Sequence, residues 1–183
     1  VLGIILKRNL SDAQKIKSKK WQQAVATIDW LTANLPATSK FQIYTFNEKA
    51  TPLLRGTEKT WLEGRDVESL NGAIARLRKV IPQKGTSLLN AFQAAREMQP
   101  PPDNLFLLTD SLPTMGANKS RQSKVSGKKR IVLFNDAIRS LPSRVPLNVI
   151  LYPMEGDPLA AVLFWRLTAM TQGSFFCPSK DWP

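Results

Sequence analysis

The chain has 183 residues, with 26 Lys and Arg against 14 Asp and Glu, a formal net charge of +12; that length suits one ordinary domain. It has no histidine and one cysteine, Cys177. This excludes Ser-His-Asp and Cys-His catalytic sets, His-ligated zinc, internal disulfides and Cys-rich metal sites. The longest apolar runs, such as Leu159 to Leu167, fall short of the ~20 residues that span a bilayer.

The positive charge is concentrated in two segments. Residues 1–20 hold Lys7, Arg8, Lys15, Lys17, Lys19 and Lys20 against Asp12 alone. Residues 119–130 hold Lys119, Arg121, Lys124, Lys128, Lys129 and Arg130 with no acid. The rest is close to neutral. Neither segment has the interleaved aromatics that stack single-stranded bases, so nucleic acid is not the expected partner. Two solvated charged segments are one reading. A polyanion or an anionic membrane surface, met through 7–20 and 119–130, is the other.

In chain order, Leu2 to Asn9 reads as a short helix. Ser11-Asp12-Ala13-Gln14 has capping-box form, and Trp21, Ala24, Val25, Ile28, Leu31 and Leu35 recur at helical spacing. One helix is expected from near Asp12 to Leu35, stopped by Pro36. Phe41 to Phe46 alternates apolar and polar, as a strand does. Thr51 to Leu54, which contains Pro52, suits a short edge strand. Val67, Leu70, Ala73, Ile74, Leu77, Val80 and Ile81 form a second helical stripe, ended by Pro82 and Gly85. A third helix is expected over Ser87 to Met98. Asn104 to Thr109 is a near-continuous apolar run, the pattern of a strand buried on both faces. Gly116 to Lys129 reads as a loop. Ile131 to Leu141 looks helical, Leu147 to Tyr152 is a buried strand, Leu159 to Met170 a helix apolar almost all round, and Gly173 to Cys177 a last short strand. Such alternation implies an α/β domain with a mainly parallel sheet. Ligands then sit beyond the C-terminal strand ends, which singles out Asn47, Asp110 and the residues after Tyr152.

No P-loop, G-x-G-x-x-G or G-x-S-x-G motif occurs. Glu155 and Asp157 form a carboxylate pair in a Gly/Pro turn, read as turn and helix-cap chemistry. The positive signal has two parts. Gly85-Thr86-Ser87 opens a helix, and 24 residues after Thr86 the apolar strand ends at Asp110. A hydroxyl at a helix start and a carboxylate at a strand tip can converge on one rim, and both are hard oxygen ligands suited to Mg²⁺ or Mn²⁺. Taken alone, Thr86 equally suits a helix N-cap and Asp110 a turn.

The stretch Gly85 to Gly116, GTSLLNAFQAAREMQPPPDNLFLLTDSLPTMG, resembles the core of a von Willebrand factor A (VWA) domain. Lys19 to Phe46 resembles that family's first helix and second strand. Asn148 to Phe176, with Thr171-Gln172-Gly173, resembles its last strand–helix–strand unit. The resemblance implies a three-layer, Rossmann-like, doubly wound α/β fold with a mainly parallel sheet and a short antiparallel edge strand, as one domain over 1–183. It also implies a metal-ion-dependent adhesion site (MIDAS) with Thr86 and Asp110 among its residues, Asp110 often acting through water. Two departures stand out. Ser111 replaces the usual Gly, and the family's Asp-x-Ser-x-Ser is absent. That motif and the central strand before it are expected upstream of Val1, where an apolar run is already under way.

The expectation is a non-enzymatic interaction or adhesion module. A Mg²⁺ or Mn²⁺ in the full-length protein binds an acidic group of a partner protein, while this chain binds the ion weakly or not at all. Gly85, Ser111, Asn47, Lys119, Arg121 and Lys124 are the expected ligand-binding residues, the last three steering an acidic partner. The resemblance is closest to bacterial members, many of them envelope-associated. That points to the cell envelope, with any membrane anchor upstream.

Overall fold

A computed structural model describes residues 10–118, 125–153, 157–179 and 181–182. The expected helix over Leu2 to Asn9 and the cations Lys119, Arg121 and Lys124 lie outside them. The described chain forms two compact units, one of residues 1–43, 52–83 and 179–183, the other of 44–51 and 84–178.

The first unit opens with α1 (Asp12–Ile16) and α2 (Lys19–Ala33). The capping box is present: Ser11 N donates to Gln14 Oε1 at 2.9 Å and Gln14 N to Ser11 Oγ at 3.3 Å. The single expected helix is two, because Ser18 takes extended backbone as the N-cap of α2. Gln22 Nε2 then satisfies the Ile16 carbonyl at 2.7 Å, which the break would otherwise orphan. Strand β1 (Lys40–Phe41) pairs antiparallel with β4 (Leu62–Glu63), and α3 (Val67–Leu77) follows. Val25, Leu53, Ala73 and Leu77 form the core, with Trp21, Ile28 and Ile43 packed on it. Gln23 Nε2 holds the tail through Ser179 O at 2.6 Å and Trp182 O at 3.0 Å. The Trp182 ring meets Trp30 edge-on at 5.1 Å.

The expected strand Phe41 to Phe46 is interrupted. Gln42 turns its amide to the carbonyls of Thr57 and Thr60, each at 2.8 Å, and accepts from Ile43 N at 2.9 Å. That side chain competes with a strand ladder for the backbone. Only Tyr44–Phe46 continues as β2, forming a hairpin with β3 (Ala50–Pro52).

The second unit carries α4 (Leu88–Arg96), β5 (Leu105–Thr109), α5 (Gly127–Ile138), β6 (Leu147–Leu151), α6 (Leu159–Met170) and β7 (Phe175–Phe176). The three strands form a parallel sheet in the order β5-β6-β7, with Leu105 opposite Leu147 and Val149 opposite Phe175. Each connection carries one helix, the βαβ pattern. Side chains alternate along a strand, so Leu107, Leu147, Val149 and Leu151 share one face. On it pack Phe92 of α4, Phe134 and Ala137 of α5, and Phe164 and Leu167 of α6. Asn148 on the other face ties the strands. Its Nδ2 donates to Asn104 Oδ1 at 2.6 Å, and its Oδ1 accepts from Ser174 N at 3.0 Å.

Two expectations shift here. β5 was expected to be buried on both faces, yet Phe106 is 52% exposed. Among the described residues β5 pairs with β6 alone. Helix α5 starts at Gly127 rather than Ile131, inside the expected loop. Ser126 caps it by accepting from Lys129 N at 3.3 Å. Three cations in the first turn oppose the positive helix end, which hid this start in the sequence.

Gly173 follows α6 so closely on the Leu147 backbone that a Cβ there would overlap the Leu147 carbonyl. Gly173→Ala is therefore expected to destabilise the protein by about 3 kcal/mol, read as a lowered denaturation midpoint. Asp66 caps α3, its Oδ2 accepting from Ser69 Oγ at 2.7 Å and its Oδ1 from Ser69 N at 3.0 Å. These bonds, the side-chain one first, hold its carboxyl below the ordinary value. A carboxylate depressed in the folded state stabilises above its unfolded pKa of about 4 and loses that contribution as pH falls through the lower folded value. The melting difference between the natural protein and Asp66→Ala should be present at neutral pH and shrink in acid.

Candidate functional site

The C-terminal end of β5 runs into Asp110 and Ser111, and three loops of the second unit meet there. The helix start at 85–87 is stitched to the loop after Asp110. Thr86 N donates to Thr114 Oγ1 at 2.9 Å, and Thr86 O accepts from Thr114 N at 3.0 Å and Met115 N at 3.3 Å. Ser87, fully buried, donates from Oγ to Gly116 O at 2.7 Å and accepts from Asn90 N at 3.2 Å. Ser87 rather than Thr86 is thus the N-cap of α4, which removes the capping reading of Thr86.

Gly85 permits this approach. A Cβ on it would lie 2.9 Å from Met115 Sδ and 3.2 Å from Thr114 Oγ1. The hairpin tip joins from the other side, where Ser87 N donates to Asn47 O at 2.7 Å. Asn90 Nδ2 donates to Glu48 O at 2.8 Å and Ala117 O at 3.1 Å, and Lys84 Nζ lies 3.7 Å from Glu48 Oε2.

Asn47 reaches the rim through its backbone. Its Oδ1 accepts from Glu48 N at 2.5 Å and Lys49 N at 3.3 Å, an Asx turn closing the hairpin. Ser111 is buried, its backbone N and O both bonded to Thr109 Oγ1 at 3.5 and 3.2 Å. Asp110 is half-buried at the strand tip. Gly85, Thr86, Asn47, Asp110 and Ser111 therefore belong to one connected rim.

Two residues that the sequence reading assigned otherwise hold this rim. Asp157 precedes α6, and its Oδ2 accepts from Leu112 N at 2.7 Å. Arg130 Nη2 donates to the same oxygen at 2.8 Å and to Leu112 O at 2.6 Å. Their side chains are only 10% and 6% exposed. Asp157 is thus the acceptor of a buried ion pair rather than a helix cap. Arg130 is structural and cannot count among the solvated cations of segment 119–130. Glu155 lies outside the described residues. No local motif could have matched Arg130 to Asp157, because they sit 27 positions apart on different crossovers.

This chain is similar to a solved structure described as "von Willebrand factor type A from Catenulispora acidiphila". The TM-score is 0.68 at 15% identity, over 93% of this chain and 37% of that one. The fold is VWA-like. At that identity the likeness shows the fold alone, and the chain spans just over a third of the length of the protein it matches. No protein-family profile matches the chain, and no curated protein matches it.

A VWA-like fold raises the question of a metal. Mg²⁺ takes six oxygens in near-ideal octahedral geometry. Thr86 and Asp110, the expected ligands, are two side chains. Among the described residues no three His, Cys, Asp or Glu side chains gather as a metal-holding group. These residues alone do not fit the ion.

Removing one partner of the buried pair leaves the other charge stranded. Asp157→Ala is expected to cost about 3–5 kcal/mol. The double replacement Asp157→Leu with Arg130→Met should cost clearly less than that single change. Urea denaturation of the three proteins checks the order.

Proposed function

We propose that this chain is a non-enzymatic protein-interaction module whose rim, built from 47–49, 85–87 and 110–117, engages an acidic group of a partner protein. The observation that carries the reading is the set of three hydrogen bonds between the Thr86 backbone and the 114–115 loop. They tie the start of α4 to the loop that begins at Asp110, at the C-terminal ends of parallel strands, where α/β folds bind ligands. A divalent ion at this rim requires oxygen donors beyond the described residues, and Thr86 and Asp110 contribute two of its ligands. Lys84 is paired with Glu48 and adds no net charge to the rim, whereas Lys119, Arg121 and Lys124 follow it in sequence. Cations beside a binding rim speed the approach of an acidic partner.

Calorimetric titration of Mg²⁺ or Mn²⁺ into these 183 residues is expected to give affinities weaker than ~0.1 mM. In the full-length protein, partner capture should require the ion and vanish with chelator. Thr86→Val and Asp110→Ala should each abolish capture while leaving the melting midpoint within a few degrees. Capture that survives both substitutions overturns the assignment of the rim. Neutralising Lys119, Arg121 and Lys124 should slow association and flatten its salt dependence.

A further inference from the structure

Helices α5 and α6 cover the same face of the parallel sheet and meet through Phe134 and Phe164, edge to face at 5.1 Å. Both bury a stripe against the odd-numbered strand residues, so their opposite sides form a shared outer face of this unit. On α6 that side is apolar apart from Arg166. Leu159, Val162, Trp165 and Met170 are 45, 52, 59 and 78% exposed. Arg166 is the helix's one charge. A helix apolar on both sides is ordinarily covered on both, and a contiguous exposed apolar patch marks an interaction surface.

The neighbouring side of α5 sets the chemistry of what covers it. Val132 is 47% exposed, and Lys128, Lys129 and Arg139 are exposed around it. The single carboxylate on the two helices, Asp136, lies 3.6 Å from Arg139. The surface therefore combines an aromatic-aliphatic strip with excess positive charge. A second copy would set these cations against their own kind, whereas an anionic headgroup layer neutralises them. Trp at such a face prefers the headgroup–acyl boundary, and Arg166 can extend its guanidinium to the phosphates while its stem stays apolar. Among the described residues no helix is long and apolar enough to cross a membrane, so contact of this kind lies on the bilayer rather than through it.

We propose that the outer face of α5 and α6 docks this protein onto an anionic lipid surface, with Leu159, Val162, Trp165 and Met170 entering the interface and Lys128, Arg139 and Arg166 meeting the headgroups. The proposal uses none of the rim residues and stands whether or not the rim binds a protein. Co-sedimentation of the full chain with vesicles containing phosphatidylglycerol tests it, against vesicles of phosphatidylcholine alone. Binding is expected to the anionic vesicles, insensitive to chelator and weakening as salt rises from ~50 to ~300 mM. Trp165→Ser should weaken it by about tenfold with an unchanged melting midpoint. Lys128→Glu with Arg166→Glu should do the same without touching the apolar strip. No sedimentation with anionic vesicles at low salt overturns the proposal, as does undiminished binding by both variants. A solution dimer that Trp165→Ser dissociates assigns the face to a second copy and equally overturns it.

Discussion

Taking a carboxylate and a guanidinium out of water carries a cost that their mutual contact and further hydrogen bonds must offset. Asp157 and Arg130 meet around one residue, Leu112, through Arg130 Nη2, while Arg130 Nε is buried without a hydrogen-bond partner. A single oxygen of Asp157 receives the Leu112 amide and the Arg130 guanidinium, which also reaches the Leu112 carbonyl. Three segments far apart in sequence are drawn to that point: the loop after β5, the start of α5 and the start of α6. This buried junction at the C-terminal end of the parallel sheet fixes the loop after β5. It also resolves the unfavourable charge at the α5 N-terminus, because one of the three cations there is paired and removed from solvent.

The rim follows from the same economy of buried polar groups. Ser87 has no solvent, so its hydroxyl bonds Gly116 while capping α4. Thr86 bonds the next loop with its backbone. Asn47 spends its side-chain oxygen on its own turn and offers its carbonyl to Ser87. Ser87, Asn47 and Ser111 thus build the rim through their own hydrogen bonds. Thr86 and Asp110 lie on the same rim, and two side chains alone fall short of the six oxygens that Mg²⁺ takes.

Much of the fold could be read from periodicity. Helix α6 has the bounds expected from its apolar run, and β6 and α4 lie within a residue or two of theirs. These elements bury a stripe or a whole strand in one core, so their pattern is strong. The failures occur where a side chain competes with the backbone. Gln42 breaks a strand by bonding carbonyls 15 and 18 residues on. Ser18 divides a helix, and Ser126 starts one among cations. Such choices depend on partners that a local pattern does not contain.

Composition and spacing alone established an α/β chain without histidine chemistry, with Thr86 and Asp110 placed at a helix start and a strand tip. Those conclusions rest on short-range rules: alternation, helical period, capping residues and the absence of required side-chain types. Folding was needed to bring Arg130 to Asp157, to assign the cap to Ser87 rather than Thr86, and to leave one side of a largely apolar helix exposed. These facts concern which distant groups share a buried volume and which apolar face finds no cover. Burial and pairing across the chain are properties of the packed structure, and no run of neighbouring residues specifies them.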